Sequence, residues 1–88
     1  SEAIQIAKNH FERNAWKYER IASEEEVYFD LQKEIRVGKR AGQKLDFAVV
    51  RVELPSMFEP ESAYVEIYID TREVYRTLGP RGAMESTY

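Results

Sequence analysis

His10 is the only histidine of this 88-residue chain, and no cysteine accompanies it. Imidazole is the one side chain whose ordinary pKa lies near neutrality. Opposite Glu2 or Asn14 across helical turns it has general-base chemistry, yet no Ser or Cys stands at a spacing that would supply a nucleophile. His10 is therefore expected as a partly exposed helix residue with a modest pH response. Glu24-Glu25-Glu26 with Asp30 offers the oxygen ligands hard cations require, but adjacent strand residues point to opposite faces and no glycine-bearing calcium loop surrounds them. A solvated acidic turn is expected there. Gly38-Lys39-Arg40-Ala41-Gly42 has phosphate-loop composition without the Gly-Lys-Ser/Thr ending or a helix to follow. No catalytic residue, metal site or cofactor is expected, and the chain reads as non-enzymatic.

Two other residue sets have recognition chemistry. Tyr28, Tyr64, Tyr68 and Tyr75 occupy the parity opposite the aliphatic residues of their strands, with Arg76 alongside. Tyr and Arg bring large contact area with polar tips and are enriched at protein interfaces. Cross-strand aromatic pairs also stabilise a sheet with no partner present. The second set is Arg36, Lys39, Arg40 and Lys44, the heart of a basic island: residues 36–51 carry five basic residues against one acid, while the chain as a whole has net charge −3. Such a patch suits an acidic protein surface, a nucleic acid or another anionic ligand, although it lacks aromatics for base stacking.

The elements that must position these residues are written mainly in alternation. Ser1 caps a helix over residues 2–13, with Ile4, Ala7 and Phe11 on one face. Asn14 is expected to take the left-handed conformation that ends it, and residues 16–21 read as extended; the rival is a longer helix that keeps Tyr18 and Ala22 on the Ile4 face. Residues 23–37 pose a sharper choice. Ser23 and Glu26 form a capping box before Val27, Leu31 and Ile35, which favours a helix. Val27, Phe29, Leu31, Ile35 and Val37 fill every odd position except Lys33, which favours a strand and accounts for more residues.

Residues 38–43 then form a turn with two glycines, and residues 45–54 run back as the partner strand. Leu45, Phe47 and Val49 lie on one parity and Val50, Val52 and Leu54 on the other, so a bulge or burial on both faces is expected. A loop with Pro55 and Pro60 exposes Met57 and Phe58, residues 63–70 form a strand, and residues 73–78 return as a short edge strand. Gly79-Pro80-Arg81-Gly82 is expected to end ordered structure, with residues 1–82 as a single domain and 83–88 as a flexible tail.

The plan is α+β: an N-terminal helix packed on a curled antiparallel sheet of four or five strands, as in cystatin-like or small chaperone-like folds. With 43% hydrophobic and 33% charged residues the chain can bury one modest core. No apolar run approaches the roughly 20 residues of a membrane span. Lack of cysteine agrees with a cytoplasmic protein, which is the expected location; the alternative is a chain whose leader has been removed. The functional expectation is a small interaction module that binds a protein partner, or itself as a homodimer, through the tyrosine-bearing face or an edge strand. The alternative is a nucleic-acid or anionic-ligand binder that uses the basic tip.

Overall fold

A computed structural model describes residues 1–86. Helix α1 covers Glu2–Arg13. The Ser1 hydroxyl accepts the Ile4 N–H at 3.4 Å, which satisfies one of the orphan donors of the first turn. At the other end the His10 carbonyl accepts both the backbone N–H of Asn14 and its side-chain amide, at 3.2 and 2.8 Å. Ala15, with φ of 56°, and not Asn14 is the left-handed residue that turns the chain away.

The chain then lays down six strands: β1 (Arg20–Ile21), β2 (Tyr28–Glu34), β3 (Lys44–Leu54), β4 (Glu61–Tyr68), β5 (Val74–Gly79) and β6 (Gly82–Ser86). All pairings are antiparallel, in the order β1-β3-β4-β5-β6, and β2 lies on the same side of β3 as β1. One helix packed on an open antiparallel sheet is the α+β plan the sequence implies, with a higher strand count. Between β1 and β2 the capping box is present, since Glu26 accepts from both the Ser23 N–H and its hydroxyl at 2.9 and 3.1 Å. It starts only one 3-10 turn, Glu24–Glu26, before β2 extends. Both rival readings of this stretch therefore hold a part of it.

Two expectations at the far edge are corrected. Residues 73–78 are not an edge strand, because β6 pairs along β5. Gly79-Pro80-Arg81-Gly82 turns the chain instead of ending its order, so residues 83–86 of the expected tail lie in β6; Thr87 and Tyr88 lie outside the described residues. Gly82 takes φ of +115°, and a Cβ on Gly79 would meet Met84 Cγ at 2.9 Å, which is why this turn is written with glycines.

β3 is buried on both faces. On the helix side Ala7 and Phe11 pack with Val50, Val52, Ala63, Val65 and Ile67, rimmed by Trp16 and Tyr18, which meet Phe11 edge to face. On the opposite side Phe47 and Val49 form a second core with Ile35, Tyr68 and Tyr75. The parity change at Val49-Val50 is thus two-sided burial, and the register between β3 and β4 runs unbroken through it.

The bulge lies in β2 instead. Asp30 pairs with Phe47 and Lys33 with Leu45, so Leu31 and Gln32 together oppose Asp46. Gln32 adopts φ of 56°, and its N–H donates to the Asp46 carboxylate at 2.9 Å. The extra residue reverses the alternation beyond it. Phe29 stays on the helix side, while Lys33 and Ile35 are carried to the face that bears Phe47.

Candidate interaction surface

The face opposite the helix is organised around Glu66, a buried carboxylate at the middle of the sheet. Its cross-strand neighbours are Val49 on β3 and Arg76 on β5, and Tyr28 on β2 continues the row. One Glu66 oxygen accepts from Lys33 Nζ at 2.5 Å and the other from Arg76 Nε. Lys33 also lies 3.5 Å from the Asp30 carboxylate. A carboxylate taken out of water is tolerable only when its lone pairs are used in this way.

The four tyrosines do share this face, but they divide into two pairs. Tyr68 and Tyr75 are buried against Phe47, with ring centroids 5.0 and 5.3 Å away, and belong to the second core. Tyr28 and Tyr64 are exposed and flank the Glu66 row, and Arg76 is half-buried with its guanidinium 5.2 Å from the Tyr75 ring. The residues of this set with surface to offer are Tyr28 and Tyr64. Burial, then the neighbouring Tyr64 and Glu66, push the Tyr28 phenol above its ordinary pKa.

The basic tip is likewise divided. Arg40 makes a two-pronged contact with Asp70 at 2.6 and 3.2 Å and lies 4.7 Å over the Tyr68 ring, so it lids the second core. Its hydrogen bonds hold the Asp70 carboxyl below the usual carboxylate range. Arg36, Lys39 and Lys44 are exposed and have no ion-pair partner among the described residues.

The acidic run contributes to structure. Glu26 and Glu53 receive Arg20 at 2.6 and 2.7 Å, which ties β1 to the 3-10 turn and to β3. The Ser23 backbone N–H, then Arg20, hold the Glu26 carboxyl at about 2. His10 is buried, not partly exposed as its sequence context implies, and stands edge-on to Trp16 with centroids 5.5 Å apart. It lines a cleft of about 500 Å³ between α1 and the β4–β5 connection, beside Arg13, Asn14, Arg72 and Glu73.

One surface was not anticipated as such. Phe29 and Leu31, expected on a buried strand face, are 61% and 62% exposed, and Ile69 nearby is 42% exposed. Ile69 donates its N–H to the Asp46 carbonyl, the residue that the β2 bulge opposes. α1 packs over Val50, Val65 and Val74 and leaves the β2 side of the same face uncovered. β2 pairs with β3 alone, so its outer backbone edge is open among the described residues. Exposed aromatic and aliphatic side chains on an open edge strand are what folded proteins ordinarily avoid. Elsewhere Met57 and Phe58 stand exposed on the β3–β4 loop, as expected. No helix among the described residues is long and apolar enough to cross a membrane.

Comparison of the chain with protein-family models, with curated proteins and with solved structures returns no match. The fold class stands on the architecture itself, and function must be argued from the surface.

Proposed function

We propose that this chain is a small non-enzymatic protein-interaction module that receives another polypeptide along β2, the open edge of its sheet, with Tyr28 and Tyr64 extending the contact over the face opposite the helix. The observation that carries this reading is the exposure of Phe29 and Leu31 on an edge strand. A strand added at this edge would pair with unpaired backbone groups while its side chains cover Phe29 and Leu31 on one face and Tyr28 on the other. Aromatic and aliphatic anchors beside polar, ion-paired surroundings match the core-and-rim pattern of specific interfaces.

The test is site-specific photo-crosslinking in cells, with a benzophenone amino acid in place of Phe29 and, as control, of Lys8 on the exposed side of α1. The expected result is a discrete protein adduct, to another protein or to a second copy, from position 29 and none from position 8. Adducts equal in yield and pattern at both positions would overturn the reading. A second reading, an anionic partner at the tip, is favoured by the exposure of Arg36, Lys39 and Lys44. It requires binding of a nucleic acid with a steep loss of affinity as salt rises, and a flat salt response removes it.

A further inference from the structure

We infer that the polypeptide received along β2 is a second copy of this chain, paired antiparallel to the first across a two-fold axis near Phe29 and Leu31. The inference rests on the interaction reading above and adds the identity of the occupant.

The argument is charge complementarity along the strand. β2 is flanked on its N-terminal side by Glu24 and Glu25 and on its C-terminal side by Arg36 and Lys39. All four are exposed, and Glu25, Arg36 and Lys39 have no ion-pair partner among the described residues. Glu34, the last residue of β2, is also exposed but stands opposite Lys44 in the ladder, so Arg36 and Lys39 leave that end net basic while Glu24 and Glu25 leave the other acidic. A parallel copy would set acid against acid and base against base. An antiparallel copy sets the acidic end of each protomer against the basic end of the other, twice, because a two-fold axis repeats every contact.

The apolar residues satisfy the same symmetry. Phe29 and Leu31 lie on one face between the two charged ends, so two-fold pairing merges the exposed pairs of both copies into one cluster and continues the six-stranded sheet into a twelve-stranded one. The part of β2 ahead of the bulge, from Tyr28 to Asp30, is the regular stretch available for the new ladder. The bulge itself limits how far the pairing runs, which fits a reversible dimer.

The experiment is light scattering over a concentration series with wild type and two charge-reversed chains, Glu24→Lys with Glu25→Lys and Arg36→Glu with Lys39→Glu. All four positions are exposed, Glu24 alone of them is ion-paired among the described residues, to the Ser1 ammonium, and circular dichroism checks that each chain keeps its fold. Wild type is expected to form a concentration-dependent dimer that weakens as salt rises. Each reversed chain places like charges at both ends of its own homodimer, and the expected loss is at least about tenfold in affinity, the scale of a like-charge juxtaposition. The equimolar mixture restores the dimer, as a heterodimer, because the all-basic edge of one meets the all-acidic edge of the other. A wild type that stays monomeric, or a mixture that associates no better than its components, overturns the inference. In either case the crosslink at position 29 decides separately whether β2 is an interaction edge for a different protein.

Discussion

Glu66→Gln is the substitution that most directly tests how the face opposite the helix is held. The two side chains have nearly the same shape, so packing is preserved and charge alone changes. In the native protein each carboxylate oxygen accepts from a cation, Lys33 at 2.5 Å on one side and Arg76 on the other. Glutamine can accept from only one of them, and its amide presents a donor to the second. One hydrogen bond to a charged group is lost, about 1.5–3 kcal/mol, and the other weakens to a neutral acceptor, about 1 kcal/mol more. The Lys33 and Arg76 side chains keep 25% and 29% exposure and regain some hydration, and Lys33 retains Asp30. A net loss of about 2–3 kcal/mol follows. Urea unfolding at pH 7 and one fixed protein concentration, read by the fluorescence of Trp16, measures it. The same reasoning requires Lys33→Met, Glu66→Met and Arg76→Met together to cost less than Glu66→Gln alone, since removing every charge removes the desolvation cost with the attraction. A Glu66→Gln loss under about 0.5 kcal/mol, or a triple variant less stable than the single one, would refute the account.

Three further outcomes follow from the geometry. Glu26 titrates at about 2 against an ordinary 4.5, so its contribution is complete above about pH 4.5 and lost as the pH falls through about 2; the gap between the urea midpoints of wild type and Glu26→Gln should be open at pH 6 and close over that window, and a gap that stays constant would contradict it. Tyr68→Ala should cost about 3–5 kcal/mol by emptying the second core, whereas Tyr28→Ala, with 51% of the residue already exposed, should cost about 1 kcal/mol or less in the monomer; equal costs in urea titrations would deny that the tyrosines divide as described. Asp46→Ala should remove the acceptor of the Gln32 N–H and cost about 1–3 kcal/mol, with Asp46→Asn milder, and hydrogen exchange at Gln32 should accelerate in the first variant; unchanged exchange would mean that the carboxylate does not hold the bulge.

The sequence discloses an element where one face of it meets one environment. α1 is legible because Ile4, Ala7 and Phe11 recur every third or fourth residue beneath a Ser cap, and β4 because Ala63, Val65 and Ile67 alternate with Tyr64, Glu66 and Tyr68. The double parity of β3 left a bulge or two-sided burial open, and the structure has the second. The exposed loop at Met57 and Phe58 followed from its two prolines. β6 was hidden because a five-residue strand beginning with Gly82 has no alternation to read, and its turn residues are also those of a chain terminus. Burial of Glu66 depends on Lys33 and Arg76, which arrive from strands 33 residues before it and 10 after, and no local pattern carries that information. A signal existed all the same: Lys33 was the one odd position of its run that was not apolar, and it is the residue that the bulge delivers to Glu66.

That single slip of register governs both the second core and the open edge. Were the same chain to pair without the bulge, Phe29, Leu31, Lys33 and Ile35 would all face the helix side, as strict alternation implies. With it, Ile35 reaches Phe47 and Lys33 reaches Glu66, while Phe29 and Leu31 remain on a stretch of the helix-side face that α1 does not cover. Deleting Gln32 and deleting Glu34 separate the bulge from the register it sets. Without Gln32 the chain passes from Leu31 opposite Asp46 directly to Lys33 opposite Leu45, so Lys33 and Ile35 keep the Phe47 face, and the cost should be about 1–2 kcal/mol. Gln32→Gly keeps the residue count and suits φ of 56°, so it should alter stability by about 1 kcal/mol or less. Deleting Glu34 keeps the bulge but moves Ile35 to the place opposite Lys44, on the helix side, and empties its place in the second core, a loss of about 2–5 kcal/mol. The Glu34 deletion should therefore lower the urea midpoint more than the Gln32 deletion. Equal shifts would mean that β2 can pair in either register, and the exposure of Phe29 and Leu31 would then follow from something other than the bulge.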